Sequence, residues 1–404
     1  MNGWHLYDPT APEWPAQLAR LYQMLGPGGA APVPAYFVRT TFVKMGGRLV
    51  SFTDEGRVLA LGLLFPRAIE GGRRLYTLRL QQLGPLPSDA ALLEELHRLI
   101  APARALLYRP ADDYALSPSH YVVGDFDVGA PEMAELAAIR QLYGAIWGVG
   151  DEEGYPDDLH SATFGPGTSL VARRGGDLAG FLLGFYRFGL AALEGLGLPH
   201  RLELGIESQV MGVAPAFRRS GLAALLKRTQ ARQALDRGID LVHWTADPLQ
   251  YPNAALNFGR LRAVAGEFTR SYYPFVNALN RVPASRLGIS WLLRSARGRA
   301  GLEARREEGR RDLGHFPGCV VLNAGPLRLA GGGDAPAIAI EIPANWTALQ
   351  SEEPALAAAW RETTDAILAE RLGFAAGQYV VTDAAADGER RFLVAERYTP
   401  DLLV

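Results

Sequence analysis

The chain has 404 residues, 48% of them hydrophobic and 21% charged, and its 41 Lys+Arg against 43 Asp+Glu leave a formal charge of −2. That balance excludes a mostly disordered chain, indicates two or three domains, and lacks the basic surplus of a nucleic-acid binder. Only Lys44 and Lys227 of the cationic residues are lysines, and the arginines are spread along the chain. The single Cys319 rules out an intramolecular disulfide and metal sites built from paired cysteines, so no metal is expected. The N-terminus has no cationic start followed by an apolar run, and no stretch approaches the roughly 20 apolar residues that span a bilayer. The expectation is a soluble, cytoplasmic protein with no nucleic-acid or membrane partner.

In chain order, residues 13–25 have helical periodicity, and a Gly/Pro-rich connection follows. Runs at 48–54 and 58–65 form a hairpin about Glu55-Gly56-Arg57, 74–86 reads as a third strand, and 89–108 as a helix capped by Ser88 or Asp89. A second pass begins near residue 120. It has a strand at 121–128, a helix at 131–147, a hairpin of 169–174 and 178–188, and a long strand at 201–215. A helix at 218–237, a strand at 241–245, a helix at 253–264 and a strand at 267–275 follow. Residues 294–311, rich in Arg with interspersed Glu, read as a solvated linker or exposed helix rather than an anion patch. The last segment has strands at 318–323 and 337–342, then a helix over 351–373 with Ser351 as cap, Pro354 in its first turn and Gly373 as stop. Its apolar stripe of Leu356, Trp360, Thr364, Ile367 and Leu368 is core packing, and a closing hairpin of 378–383 and 390–398 turns at Asp387-Gly388. Both passes run helix, hairpin, long strand, helix, a weak duplication signal. The fold class is α/β, with segments 1–118, 119–293 and 294–404.

One stretch stands above background, residues 210–235. A strand ends at Val213, Pro215 stops it, and a short loop with Arg218, Arg219 and Ser220 enters a helix with Gly221 at its start. Leu222, Leu225, Leu226 and Leu235 keep one helix face apolar, so the N-terminus is held against a sheet. Unsatisfied backbone N–H groups there, beside two arginines, suit a diphosphate, and Gly221 lets it approach the backbone.

The stretch resembles the GCN5-related N-acetyltransferase (GNAT) superfamily. That superfamily places Gln/Arg-x-x-Gly-x-Gly/Ala after a strand ending Val-x-Pro; here Val213, Pro215, Arg218, Gly221 and Ala223 fill those places. The resemblance covers about 120–280 and implies a GNAT-like mixed sheet flanked by helices, with a degenerate copy at 1–118. It implies acyl transfer from acetyl-CoA or another acyl-CoA to an amine. Coenzyme A would contact Met211, Val213, Arg218, Arg219, Ser220, Gly221, Leu222 and Ala223, and Asn253 would meet pantetheine. Pantetheine would lie between the strands carrying 207–213 and 241–245, and a backbone N–H near Met211 or Gly212 would stabilise the oxyanion. Glu207 stands where some relatives place a carboxylate base; its alternative reading is a solvent-facing strand residue paired with an Arg, and Glu203 is the reserve.

Many relatives place a Tyr general acid in the helix after Asn253, where this chain has Phe258 and no Tyr. Tyr251 or Tyr272 and Tyr273 are the replacements, although the latter pair also reads as alternate strand faces, one packed and one exposed. His243 reads as a core residue. In the first pass Asp89 occupies the phosphate position and no signature follows, so no second nucleotide is expected. The run 253–274 with 283–293 is further similar to a long-chain bacterial subfamily linked to amino-acid N-acylation, including N-succinylation. That subfamily tends to read Ser-Asp-Arg-Leu where this chain reads Ala284-Ser285-Arg286-Leu287. Arg286 suits a substrate carboxylate or, equally, a salt bridge. The reading is an N-acyltransferase acting on a small amine such as an amino acid, compatible with a homodimer. Its rivals are a non-catalytic acyl-CoA sensor or scaffold and a pure interaction protein.

Overall fold

A computed structural model describes residues 3–25, 32–110, 114–115, 120–150, 154–273, 281–304 and 311–404. The chain forms two compact units, Met1–Gly189 with Glu203–Gln230, and Leu190–Leu202 with Ala231–Val404. These divisions cross the segment boundaries read from the sequence, because pairing follows strand neighbours rather than chain order.

The first unit opens with β1 (Gly3–Leu6), α1 (Trp14–Gln23), the short α2 (Ala35–Phe37) and a wider π-type turn at Val38–Phe42. The expected hairpin is β2 (Arg48–Asp54) and β3 (Arg57–Glu70), followed by β4 (Arg73–Gln82). Ser88 caps α3 (Asp89–Ile100), its side chain accepting from the Ala91 amide. The expected helix over 89–108 stops early because Pro102 cannot continue it. Residues 104–108 become β5 (Arg104–Tyr108), parallel to β4 in a sheet ordered β1-β2-β3-β4-β5.

A second sheet in this unit is ordered β10-β9-β8-β7-β6 and is antiparallel throughout. Residues expected as one strand split at Gly124 into β6 (His120–Val123) and β7 (Phe126–Gly129). After α4 (Leu136–Trp147), ended by left-handed Gly148, come β8 (Gly167–Arg174), β9 (Asp177–Phe188) and β10 (Leu204–Val213). Phe65 of β3 packs edge-on against Phe42 and Phe164, with ring centroids 4.8 and 5.0 Å away, and lies 5.4 Å from Phe185 of β9. All four rings are fully buried, so one core joins the two sheets. On the other face of β9 and β10, Leu170, Leu182 and Met211 meet Leu222 and Leu226 of α5 (Leu222–Asp236).

The second unit has strands in the order β11-β13-β12-β19-β20-β18-β15, with a short β14 (Arg311–Asp312) beside β19. These are β11 (Leu241–Ala246), β12 (Val264–Tyr273), β13 (Ala284–Leu292), β15 (Cys319–Val321), β18 (Ala337–Ile342), β19 (Tyr379–Asp387) and β20 (Arg390–Arg397). A minor hairpin pairs β16 (Asn323–Ala324) with β17 (Leu327–Arg328). The expected helix at 253–264 begins earlier, as α6 (Tyr251–Ala254) running into a π-type turn at Ala255–Arg260. Residues 274–275 and 305–310 of the expected elements lie outside the described residues. Within the Arg-rich segment Ser295 caps α7 (Ala296–Glu303), and its arginines have internal partners: Arg294 with Asp240, and Arg297 with the Thr382 carbonyl.

Ser351 is not a cap. It closes α8 (Trp346–Glu352), capped by Asn345, and α9 (Pro354–Arg371) follows. The buried stripe of α9 is turned from the expected one, with Ala357 and Arg361 inside and Leu356 and Trp360 half-buried. The cause is charge: Arg361 donates to both oxygens of buried Asp247, at 2.9 and 2.7 Å. The expected mixed α/β class with sheets flanked by helices is the fold observed. Among the described residues, no helix is long and apolar enough to cross a membrane.

In the first unit, burial pushes His160 down to about 4, and its Nδ1 lies 2.6 Å from Ser169 Oγ. The unfolded chain therefore binds a proton that the folded one refuses between pH ~6.5 and ~4. Stability should fall by roughly 3 kcal/mol as pH drops through that window. Denaturant unfolding at pH 7 and 4.5 measures it, and His160→Gln should flatten that part of the curve.

Candidate active site

Strand β10 is regular up to Glu207, opposite Phe185, and regular again from Val210, opposite Leu183. Between them Ser208 and Gln209 face the single residue Gly184, so β10 carries a bulge. Glycine is required at 184. A Cβ there would come within 2.7 Å of the Glu207 carbonyl oxygen, Thr168 Oγ1 and Gln230 Nε2. The bulge disrupts the ladder and turns the two side chains apart. Gln209 donates to Tyr155 OH (2.9 Å), beside a Tyr36–Tyr143 hydroxyl pair (2.9 Å), while Ser208 faces α5.

Past Val213, Pro215 opens a single 3-10 turn (Pro215–Phe217), and Ser220 Oγ donates to the Phe217 carbonyl at 2.6 Å. Arg219 and Gly221 both adopt positive φ, at 64° and 85°, and turn the chain into α5. A Cβ at Gly221 would meet nothing within 4 Å, so the helix start faces open space. Leu225 is the first residue of α5 to bond back, to the Gly221 carbonyl, which leaves the amides of 222–224 without helical partners. Arg218, Arg219 and Ser220 are exposed, and neither arginine has an ion pair among the described residues. Met211 and Val213 lie half-buried on the face that carries α5. The loop and the bulge lie on one continuous stretch of the first unit, at the two ends of residues 208–221.

Glu207 is paired with an Arg, as its alternative reading expected, but is buried instead of facing solvent. Only 3% exposed, it accepts from Arg187 Nη1 at 2.5 Å, and Arg187 is further tied to the Gly189 carbonyl at 2.8 Å. It is not a solvent-facing carboxylate, and its charge is engaged by the ion pair. Glu203 is exposed and precedes β10. The local sequence carries no sign of Arg187, which reaches Glu207 only because β9 and β10 are neighbours. Lys227 was also missed as a site residue. Its rarity in a chain with two lysines was the available signal.

The remaining candidates lie in the second unit. Tyr251 starts the helix rather than preceding it; it is 8% exposed, with the Arg391 guanidinium 5.4 Å from its ring centroid. Asn253 is exposed in the first turn. Tyr272 is buried and Tyr273 half-buried, their rings edge-to-face at 4.9 Å. His243 is buried, with Nε2 3.6 Å from Glu267 Oε2. Arg286 stacks on Tyr273 at 4.9 Å and lies 3.6 Å from Asp247, whose oxygens Arg361 already holds. Among the described residues no cluster of His, Cys, Asp and Glu could hold a metal.

Removing Arg187 leaves a buried carboxylate without its strongest partner. Arg187→Met should cost about 3–5 kcal/mol in denaturant unfolding, and adding Glu207→Leu to that variant should recover much of the loss.

Residues 136–257 match the family model described as "Acetyltransferase (GNAT) family". No curated protein matches the chain. Among solved structures it is similar to the ribosomal-protein-S18-alanine N-acetyltransferase of Escherichia coli, at 15% identity and TM-score 0.30, covering 41% of this chain and 92% of that one. It is similar to Arabidopsis thaliana NAA60 in complex with acetyl-CoA, at 14% identity and TM-score 0.34, covering 42% and 98%. A third is diaminobutyrate acetyltransferase EctA of Paenibacillus lautus, in complex with L-2,4-diaminobutyric acid and coenzyme A, at 18% identity and TM-score 0.31, covering 41% and 93%. Over residues 136–257 the chain carries a domain of the GNAT acetyltransferase family.

Proposed function

We propose that the protein is an acyl-CoA-dependent N-acyltransferase that moves an acetyl- or succinyl-type group to the amine of a small acceptor such as an amino acid. The observation that carries the reading is the loop of residues 214–221. Two exposed arginines and three unpartnered helix amides converge on open space above Gly221. That arrangement suits the diphosphate of coenzyme A. The β10 bulge lies on the strand that leads into the loop, next to Met211 and Gly212, one of whose backbone N–H groups would stabilise the thioester oxygen. The amine attacks the thioester carbonyl, the C–N bond forms as the C–S bond breaks, and the proton that the amine loses is balanced by the one the departing sulfur takes up, so that coenzyme A leaves as the thiol. The Glu207 carboxylate is already engaged by Arg187, so no proton step is routed through it. Arg286 of the second unit, stacked on Tyr273 and without a hydrogen bond among the described residues, is a side chain of the type that suits a carboxylate.

The buried Glu207–Arg187 pair also favours a second reading, an acyl-CoA sensor that binds the nucleotide without turning it over. Thiol release over a matrix of acyl-CoA donors and amino-acid acceptors separates the two. The transferase releases free coenzyme A only with its acceptor present; a sensor never exceeds background.

Arg218→Ala removes one charge-assisted partner, worth about 1.5–3 kcal/mol, and should weaken coenzyme A binding roughly ten- to a hundred-fold. Gly221→Asp adds strain and a repelling charge and should weaken it at least as much. Equal affinity of Gly221→Asp and wild type in titration calorimetry overturns the assignment. One nucleotide per chain is expected in the same titration, because α3 begins with Asp89, itself held by Arg109 at 2.7 Å. A stoichiometry of two would make the protein a tandem transferase.

A further inference from the structure

The inner face of α5 carries a residue that a sheet-packed helix normally excludes. Lys227 is 4% exposed, and its Nζ donates to Ser208 Oγ at 2.8 Å. A lysine on a surface helix ordinarily extends its ammonium to water; here the ammonium ends in the bulge of β10. Ser208 is 5% exposed and is one of the two bulged residues. Glu207, the residue before it, is held on the opposite face of the strand by Arg187. The bulge is therefore tied on both faces, to β9 by Arg187 and to α5 by Lys227. Lys227 lies five residues beyond Leu222, about 7.5 Å along the helix whose start forms the loop above Gly221. One side chain thus connects the helix that starts at the loop to the strand irregularity just before Met211 and Gly212.

We propose that Lys227 is a positioning residue for acyl transfer, fixing the β10 bulge through Ser208 so that its backbone donors stay aimed at the thioester oxygen. This rests on the acyl-CoA reading. The bond is strongest when the amine is charged, because a charge-assisted donor is about twice as strong as a neutral one. Burial pushes Lys227 down to about 7, against the attraction of Glu207, which raises it. The charged group that acts on it is Glu207 of β10, to which Arg187 of β9 is bonded. From β8 the neighbour is the neutral Thr168, bonded to Gln230 of the same helix.

The sign of the pH effect separates positioning from packing. Between pH ~7 and ~10.5 the unfolded chain binds a proton that folded Lys227 has lost, so this group makes the fold more stable as pH rises. The same deprotonation weakens the bond to Ser208, so turnover should fall over the range in which stability rises. A purely structural lysine would move stability alone.

The test measures kcat and KM for acyl-CoA from pH 6 to 9.5 in wild type, Lys227→Arg, Lys227→Met and Ser208→Ala, alongside amide hydrogen exchange of residues 207–212 without substrate. Wild-type turnover should descend above pH ~7, and its bulge amides should exchange with more opening at pH 9 than at pH 6, after correction for intrinsic rates. Lys227→Arg should keep kcat within about three-fold and carry the plateau to higher pH. Lys227→Met and Ser208→Ala should lower kcat roughly ten- to a hundred-fold, leave KM for acyl-CoA within about three-fold, and lose the descending limb. A folded Lys227→Met with wild-type kcat and pH profile overturns the proposal. So does wild-type exchange at 207–212 that shows no opening between pH 6 and 9, a measurement needing neither variant nor substrate. If wild type transfers to no acceptor while its exchange follows pH as expected, the acyl-transfer reading fails and the tie between Lys227 and the bulge stands.

Discussion

The buried charges around β10 set the conditions for the rest of the first unit. A strand that carries Glu207 and Ser208 inward must find partners for both, since a buried carboxylate or hydroxyl left unpaired costs several kcal/mol. Arg187 meets the first at 2.5 Å and Lys227 the second at 2.8 Å. Satisfying both requires the two side chains to leave the strand on opposite faces, beside the irregularity at 208–209. Gly184 permits it by having no side chain where the Glu207 carbonyl stands. The polar inner face of α5, with Lys227, Thr229 and Gln230 all buried, becomes intelligible as the counterpart of that strand.

The open end of the same helix has the opposite character. Nothing fills the space above Gly221, its flanking arginines have no ion pairs among the described residues, and its first amides are unbonded. A helix N-terminus flanked by positive side chains creates an electrostatic demand for negative charge. The corresponding helix of the first sheet, α3, meets that demand internally with Ser88 and Asp89. Two parts of one chain thus differ in whether the helix start is closed by its own side chains or open.

The second unit is organised around another buried carboxylate. Asp247 accepts two bonds from Arg361 and one from the Trp346 indole at 3.2 Å, and the Arg361 guanidinium lies 4.9 Å from the Trp346 ring centroid. That cluster turns α9 so that Arg361 and Asp365 face inward in place of Leu356 and Trp360. It also leaves Arg286 beside an acid whose oxygens are already engaged, stacked on Tyr273 rather than bonded.

Much of the architecture was legible locally. Alternation and turn residues placed the hairpins at Glu55-Gly56 and Gly175-Gly176, and Val213, Pro215, Arg218 and Gly221 marked the loop, because turns and helix starts depend on residues a few positions apart. The failures were local conflicts resolved by neighbours: Pro102 freed 104–108 to pair parallel with β4, and Asn345 capped a separate helix ahead of Pro354. The sequence by itself determined the mixed α/β class, the positions of most strands and the loop above Gly221. Only the tertiary structure decided that Glu207 is an ion-paired buried group, that Lys227 ends on Ser208, and that Arg361 serves Asp247 across 114 residues of chain. Partner and burial belong to elements adjacent in space, and no periodicity along a single strand or helix encodes which element will lie beside it.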